Sequence, residues 1–357
     1  MGATGACDTR LSCEFRKAAG TRAARKCRTY RASKILILAL AGGVGGAKLA
    51  HGLSVLLPPN QLQVVVNTGD DFAHLDLHIS PDLDTVMYWL AEVSDRERGW
   101  GLAEESWNFI AALERLGGPA WFSLGDRDLA THIHRTSLLK SGMTLSQATR
   151  ALCLSLGVQH AIAPMSDHSV RTIVHTEEGA LEFQDYFVRR RCEPRVVRVE
   201  YQGAAEAAMS TPFAAAIARD DLAAIVVCPS NPMLSIDPIL AVGQVRTLLR
   251  ECRKPVVAVS PIIGGRALKG PAAKIFQELG YSPSVIEVAR HYRDLVDGLV
   301  IDQTDARLAG EVENLGVKVA ITNVIMADRA DQSRLAETTI EFATQLCKRP
   351  QAPSEIL

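Results

Sequence analysis

The 357-residue chain contains no run of eighteen apolar residues, so no helical membrane span and no membrane partner is expected. Its eight cysteines, at positions 7, 13, 27, 153, 192, 228, 252 and 347, form no Cys-x-x-Cys pair and no zinc-like spacing. That scatter argues against a disulfide framework and for reduced thiols in a cytoplasmic protein. A secretory leader is not recognisable either, because the N-terminal stretch "RKAAGTRAARKCRTYRASK" has no apolar h-region. Repeats and low-complexity segments are missing, and 39 Lys/Arg balance 40 Asp/Glu. No nucleic-acid partner is expected.

What is present is a globular composition, 47% hydrophobic and 22% charged, enough for one large or two moderate domains. The charge balance hides an asymmetry. Residues 1–34 hold nine Lys/Arg and two Asp/Glu, leaving 30 basic against 38 acidic residues elsewhere. Residues 1–33 are expected to be a basic disordered extension, and 34–357 a single domain.

From Ser33 onward, short apolar runs alternate with amphipathic stretches. "KILILAL" (34–40), "LQVVVN" (62–67), "LAAIVVC" (222–228), "PVVAVS" (255–260), "LVDGLVID" (295–302) and "VKVAITNVI" (317–325) read as buried strands. Helical patterns lie between them, such as "KLAHGLSVLL" (48–57) and "PILAVGQVRTLLREC". This alternation predicts an α/β fold with a doubly wound, mostly parallel, Rossmann-like sheet. Between about 130 and 205, "TLSQATRALCLSLG" looks helical and "VRTIVHTEEGALEFQDYFVRRRC" looks like a hairpin turning at Glu178-Gly179. That range is expected to be an inserted helical and antiparallel subdomain.

"ALAGGVGGAKLAHGL" joins the first strand to the first helix. Gly42, Gly43, Gly45 and Gly46 permit a tight turn, and the helix start beyond them suits an anion, with Lys48 adding charge. The two standard phosphate templates fail. A Walker loop wants Gly before the lysine and Ser/Thr after it, where this chain has Ala47 and Leu49; a dinucleotide fingerprint from Gly43 wants Gly or Ala in place of Lys48. Phosphate binding and a purely structural turn both remain open. Asp70 and Asp71 of "VVVNTGDDF" emerge at the same sheet edge, where two acids beside a phosphate site suit a magnesium ion; a solvated turn is the other reading. Asp82 and Asp84 of "SPDLDTVMYWL" fall in a helix's first turn, where capping explains either. "WFSLGDRDLATHIHR" carries Arg127 and Asp128. Two further loops follow strands: "CPSNPMLSIDPIL" with Ser230, Asn231 and Ser235, and "SPIIGGRALKGPA" with Gly264-Gly265. Together with the glycine turn they outline a nucleotide pocket.

The motifs "GGVGGAK", "VVNTGDD", "SPDLDTVMY", "WFSLGDRDLATH", "PMSD", "FQDYFVRRR", "PSNPMLSI" and "SPIIGGRALKGPA" occur in the order seen in the 2-phospho-L-lactate transferase family of coenzyme F-420 biosynthesis, which the chain resembles from about Lys34 onward. The resemblance implies a magnesium-dependent enzyme, a homodimer. It transfers a phospho-acid from its guanosine diphospho-ester to the ribityl hydroxyl of the 5-deazaflavin Fo, releasing GMP. It further implies that Asp70 and Asp71 hold magnesium, one of them accepting the ribityl proton. Gly42, Gly43, Gly45, Gly46 and Lys48 would take the phosphates; Ser230, Asn231, Ser235, Gly264 and Gly265 the guanosine; Asp82, Asp84, Arg127 and Asp128 the Fo side. The acid could be lactate, enolpyruvate or glycerate. Asp237 departs from the glycine often found there in relatives. A regulatory protein binding a nucleotide-sugar without turnover is the competing reading. A dehydrogenase is disfavoured because Asn67 and Thr68 stand where a ribose-binding acid is needed.

Overall fold

The computed structural model describes residues 35–267 and 270–347; the basic extension expected at 1–33 lies outside them. Seven strands form one parallel sheet: β1 (Leu36–Ala41), β2 (Leu62–Val66), β3 (Ala161–Pro164), β4 (Leu222–Val227), β5 (Val256–Val259), β6 (Gly298–Asp302) and β7 (Lys318–Thr322). Their spatial order is β7-β6-β5-β4-β1-β2-β3, with every pairing parallel. Side chains leave each strand alternately. Leu36, Leu38 and Leu40 enter one core with Ile225, Val227 and Leu299. Ile37, Ala39 and Ala41 enter the other with Val64, Val226 and Val300. Burial on both faces is why these strands read as unbroken apolar runs. Among the described residues no helix is long and apolar enough to cross a membrane.

Six of the seven strands are those expected. β3 is the exception, and it divides the expected insertion at about 130–205. It pairs with β2 from Gln63↔Ala161 to Val66↔Pro164, placing "AIAP" on the sheet edge, where a proline is tolerated. Four residues ending in proline carry no strand signature of their own. Before it run the helices Asn108–Arg115, α3 (Asp126–Lys140) and Leu145–Ser155. After it comes a separate three-stranded antiparallel sheet in which Arg171–Thr176 lies between Gly179–Glu182 and Val196–Gln202. The expected hairpin is its first turn, closed by the pair Thr176↔Gly179. The single helix expected after Pro238 is two, Asp237–Ala241 and Val245–Glu251. The break falls at Gly243, whose amide leaves the helical path to donate to Ala204 O at 2.8 Å.

The chain winds from β1 through β2 to β3, then returns to place β4 on the other side of β1. The crevice at that reversal opens at the C-terminal ends of β1 and β4, where open α/β sheets hold ligands.

Candidate active site

Helix α1 spans Gly43–Leu56, beginning five residues earlier than expected. Gly42 is extended and Gly43 takes φ 60°, so the chain turns from strand to helix within two residues. The loop after β4 closes on this turn. Gly42 N–H donates to Ser230 Oγ at 3.2 Å, and the Ser230 hydroxyl donates to Gly42 O at 2.8 Å. A Cβ on Gly45 would stand 2.1 Å from Pro229 O. The glycines therefore let two loops of the reversal crevice pack backbone against backbone, a demand that a ligand-only reading misses. Asn231 Oδ1 accepts the amides of Met233 and Leu234, capping the turn Pro232–Ile236, while its buried Nδ2 has no partner. Lys48 lies in the second turn of α1. Its Nζ donates to Met326 O at 2.8 Å and sits 5.7 Å from the Trp89 ring centre.

The space above the glycine turn is acidic. Helix α2 (Pro81–Leu90) begins there and brings Asp82 down onto α1, with Oδ1 accepting Gly43 N–H at 2.8 Å and Oδ2 accepting Asn67 Nδ2 at 3.0 Å. Asn67, at the end of β2, also donates to Leu234 O, and its Oδ1 accepts Gly69 N–H at 2.8 Å. It ties β2, α2 and the loop after β4 together. Asp70 follows in that loop, 5% exposed, and no hydrogen bond reaches its buried Oδ1. Asp71 accepts the Ser80 hydroxyl at 2.7 Å and His78 Nε2 at 3.0 Å on Oδ2, while its shielded Oδ1 is unpartnered.

Three carboxyls this close and this dry resist ionising together. Burial, then the neighbouring Asp82 charge, push Asp70 well above the usual carboxylate range against the pull of Asn67. Burial raises Asp82 to about 6, opposed by its bonds from Asn67 and the Gly43 amide. Burial also raises Asp71, opposed by His78 and Ser80.

The remaining expected residues lie elsewhere. Asp84 and Asp128, expected on the Fo side, are turned into the packing between α2 and α3. Both Asp84 oxygens take the guanidinium of Arg135, and Asp128 accepts the Tyr88 hydroxyl at 2.6 Å. Ligand atoms of Asp84, Asp128 and His132 lie within 4.8 Å of one another, a spacing suited to a metal ion, but the buried Arg135 already supplies the cation. Arg127 donates to Ala103 O, and its amide and that of Asp128 are capped by Glu105; these bonds fix the loop before α3. Gly264 and Gly265, both at positive φ, make the two-residue turn between Ile262–Ile263 and Arg266–Ala267, with the Gly264 amide on Asp305. Asp237, the departure from the family pattern, is held by His291 Nε2 at 2.9 Å. Of the expected set, the structure thus brings Gly42, Gly43, Ser230, Ser235 and Asp82 into mutual contact, with Asp70 and Asp71 beside them. Asn67 was visible only as the polar residue ending an apolar strand.

Comparison with known proteins follows the same outline. The family model described as 2-phospho-L-lactate transferase CofD matches residues 37–340. A 2-phospho-L-lactate transferase of Methanosarcina acetivorans is 37% identical over 311 residues, 87% of this chain and 100% of its own. A phosphoenolpyruvate transferase of Kitasatospora aureofaciens is 39% identical over 317 residues, 87% and 98% of the two chains. A crystal structure of a upf0052-family protein from Bacillus halodurans superposes with a TM-score of 0.57 at 13% identity, covering 86% of this chain and 99% of that one. The last likeness is one of fold. From the match of family model and relatives across nearly all of the described domain, the chain belongs to the 2-phospho-L-lactate transferase family and is a transferase enzyme.

Proposed function

We propose that the enzyme transfers a phospho-acid from its guanosine diphospho-ester to the ribityl hydroxyl of Fo, releasing GMP, with magnesium held by Asp70, Asp71 and Asp82. The observation carrying this reading is the group of three clustered carboxylates over the glycine turn, two of them with buried oxygens that no protein group satisfies. Buried acids that raise one another's pKa and keep unpaired oxygens fit a hard divalent cation. Such a cation, when bound, neutralises the carboxylates and stabilises charge on the pyrophosphate oxygens.

The residues divide the remaining work. Asp82 fills the Gly43 amide, so the turn offers a carboxylate beside the other first-turn amides, which have no partner within the helix. This suits a phosphate that approaches together with a cation. Ser230 and Asn231 fix the loop that borders the donor, and the unpaired Asn231 Nδ2 is available to its nucleotide. Asp70 accepts the proton of the attacking hydroxyl. The alcohol must be held in line with the departing GMP, since positioning and charge stabilisation dominate phosphoryl-type transfer. The relatives named for phospholactate and phosphoenolpyruvate differ in their acid, and either is consistent with this scheme.

The test is direct. Purified protein with magnesium, Fo and the lactyl, enolpyruvyl or glyceryl guanosine donor is expected to yield GMP and a more anionic deazaflavin with at least one donor, and none in EDTA. No GMP with any donor defeats the reading. Saturable UDP-sugar binding without turnover would favour the regulatory alternative.

A further inference from the structure

The turn Pro232–Ile236 and the two residues after it touch both halves of the carboxylate site. On one side Ser235 packs against the glycine turn, so closely that a Cβ on Gly42 would lie 2.6 Å from Ser235 Cβ. On the other side Pro238 packs against the acid loop, its Cβ 3.0 Å from where a Cβ on Gly69 would stand. Between them Leu234 O accepts Asn67 Nδ2 at 3.3 Å. Residues 232–238 thus wedge between the start of α1 and the loop carrying Asp70 and Asp71, and their position sets the width of the gap.

This wedge does not hold itself in place. The helix Asp237–Ala241 is only five residues long, too short to be stable alone. What fixes it comes from behind. Tyr201, on the antiparallel strand Val196–Gln202, donates its hydroxyl to Met233 O at 2.6 Å. Asp237 reaches the same hydroxyl, and its Oδ1 takes His291 Nε2 at 2.9 Å from the helix Val285–Tyr292. Arg246 stands 4.0 Å from that oxygen, with its stronger bonds going to Asp294 and His291 O. Burial, then the charges of Asp237 and Asp70, push the Tyr201 phenol well above its usual range, so it remains a proton donor.

We propose, on the transferase reading above, that Tyr201 and Asp237 are positioning residues: by fixing residues 232–238 they hold the glycine turn and the acid loop at the separation that a cation and a diphosphate bridge together. Neither side chain is a ligand in this scheme. Asp237 has His291 and Tyr201 as partners, and the Tyr201 hydroxyl is directed to Met233 O. A diphosphate alone needs only the glycine-turn wall, and a cation alone only the acid loop. Binding both at once needs the two walls in register, so the width of the gap appears as a coupling between the two ligands.

The experiment compares the full-length wild type with Tyr201→Phe, Asp237→Ala, Asp237→Asn and the Tyr201→Phe, Asp237→Ala double variant. Two quantities are read: kcat, and calorimetric affinity for GDP with and without magnesium, whose ratio measures how far the cation tightens the nucleotide. Tyr201→Phe and Asp237→Ala are each expected to lower kcat about ten- to hundredfold, the scale of a displacement near 1 Å. Magnesium tightening of GDP should shrink about three- to tenfold, the value of one hydrogen bond, while magnesium-free GDP affinity stays at its wild-type value. Asp237→Asn keeps the shape and should restore most of both. The double variant should fall no further than the worse single one, because both cut one tie. Folded variants with unchanged kcat and tightening, additive losses in the double variant, or a loss confined to magnesium-free affinity overturn the assignment. A lowered melting temperature with kcat per folded enzyme intact also overturns it. A wild type that releases no GMP from any donor overturns the transferase reading instead, and the positioning is then decided by the magnesium tightening.

Discussion

Asp82 shows how one side chain can be costly and useful at once. Burial raises its carboxyl from the ordinary 3.8 to about 6 in the folded protein, so between those values the folded state holds more protons than the unfolded one. Stability contributed at this site therefore falls as pH rises from about 4 to about 6 and is level above. In EDTA, wild type is expected to lose up to about 3 kcal/mol relative to Asp82→Asn over that window. Denaturant melts at several pH values check this, and a pH-independent difference would contradict it. Asp70→Asn makes a different point. It keeps the shape and removes the charge and the base, so transfer should drop by about 10²–10⁴-fold with an unchanged circular dichroism spectrum. A near-wild-type rate would remove Asp70 from the chemistry.

Elements are placed by contacts that no local pattern announces. Helix α3 grips α2 through Arg135, which is 1% exposed and joined to both oxygens of Asp84. It also contacts the strand before α2 through His78 O, and Thr136 Oγ1 accepts His78 N–H at 2.8 Å. The acids that begin α2 and the His78 that holds Asp71 are thus set from behind by α3. Arg135→Met strands a buried carboxylate and is expected to cost about 3–5 kcal/mol. The double variant Arg135→Met, Asp84→Leu should recover much of it in urea unfolding; no recovery would mean that the pair is not the source of the loss. In the first turn of α1, Gly45→Ala pushes a methyl into Pro229 O, a backbone atom that cannot turn aside. Loss of about 1–3 kcal/mol, together with weakened GMP binding, is expected there; nucleotide affinity measured by calorimetry separates the two effects.

At the scale of the whole molecule, the site is a meeting of distant segments, so ligands that span it should stabilise the fold. Magnesium with GMP at a hundredfold excess over its Kd adds about 2.7 kcal/mol, several degrees in thermal melting. The Asp70→Asn, Asp82→Asn double variant should lose the magnesium-dependent part of that shift. A shift retained in full would place the cation elsewhere.

What the sequence by itself determined is local. Continuous Val/Ile/Ala runs marked six strands because both sheet faces are buried. Glycines at 42–46 marked the turn, and acids after an apolar strand marked the rim. Family motifs in register marked the transferase. The tertiary structure decided which polar groups face one another. Gly42 and Ser230 are 188 positions apart, and only the order of strands makes them neighbours. Asp82 meets the glycine turn while Asp84, two residues on, faces α3, because a helix turns about 100° per residue and sends them in different directions. β3 was illegible for a related reason. A four-residue edge strand takes its meaning from what packs against it, and that partner is supplied only by folding.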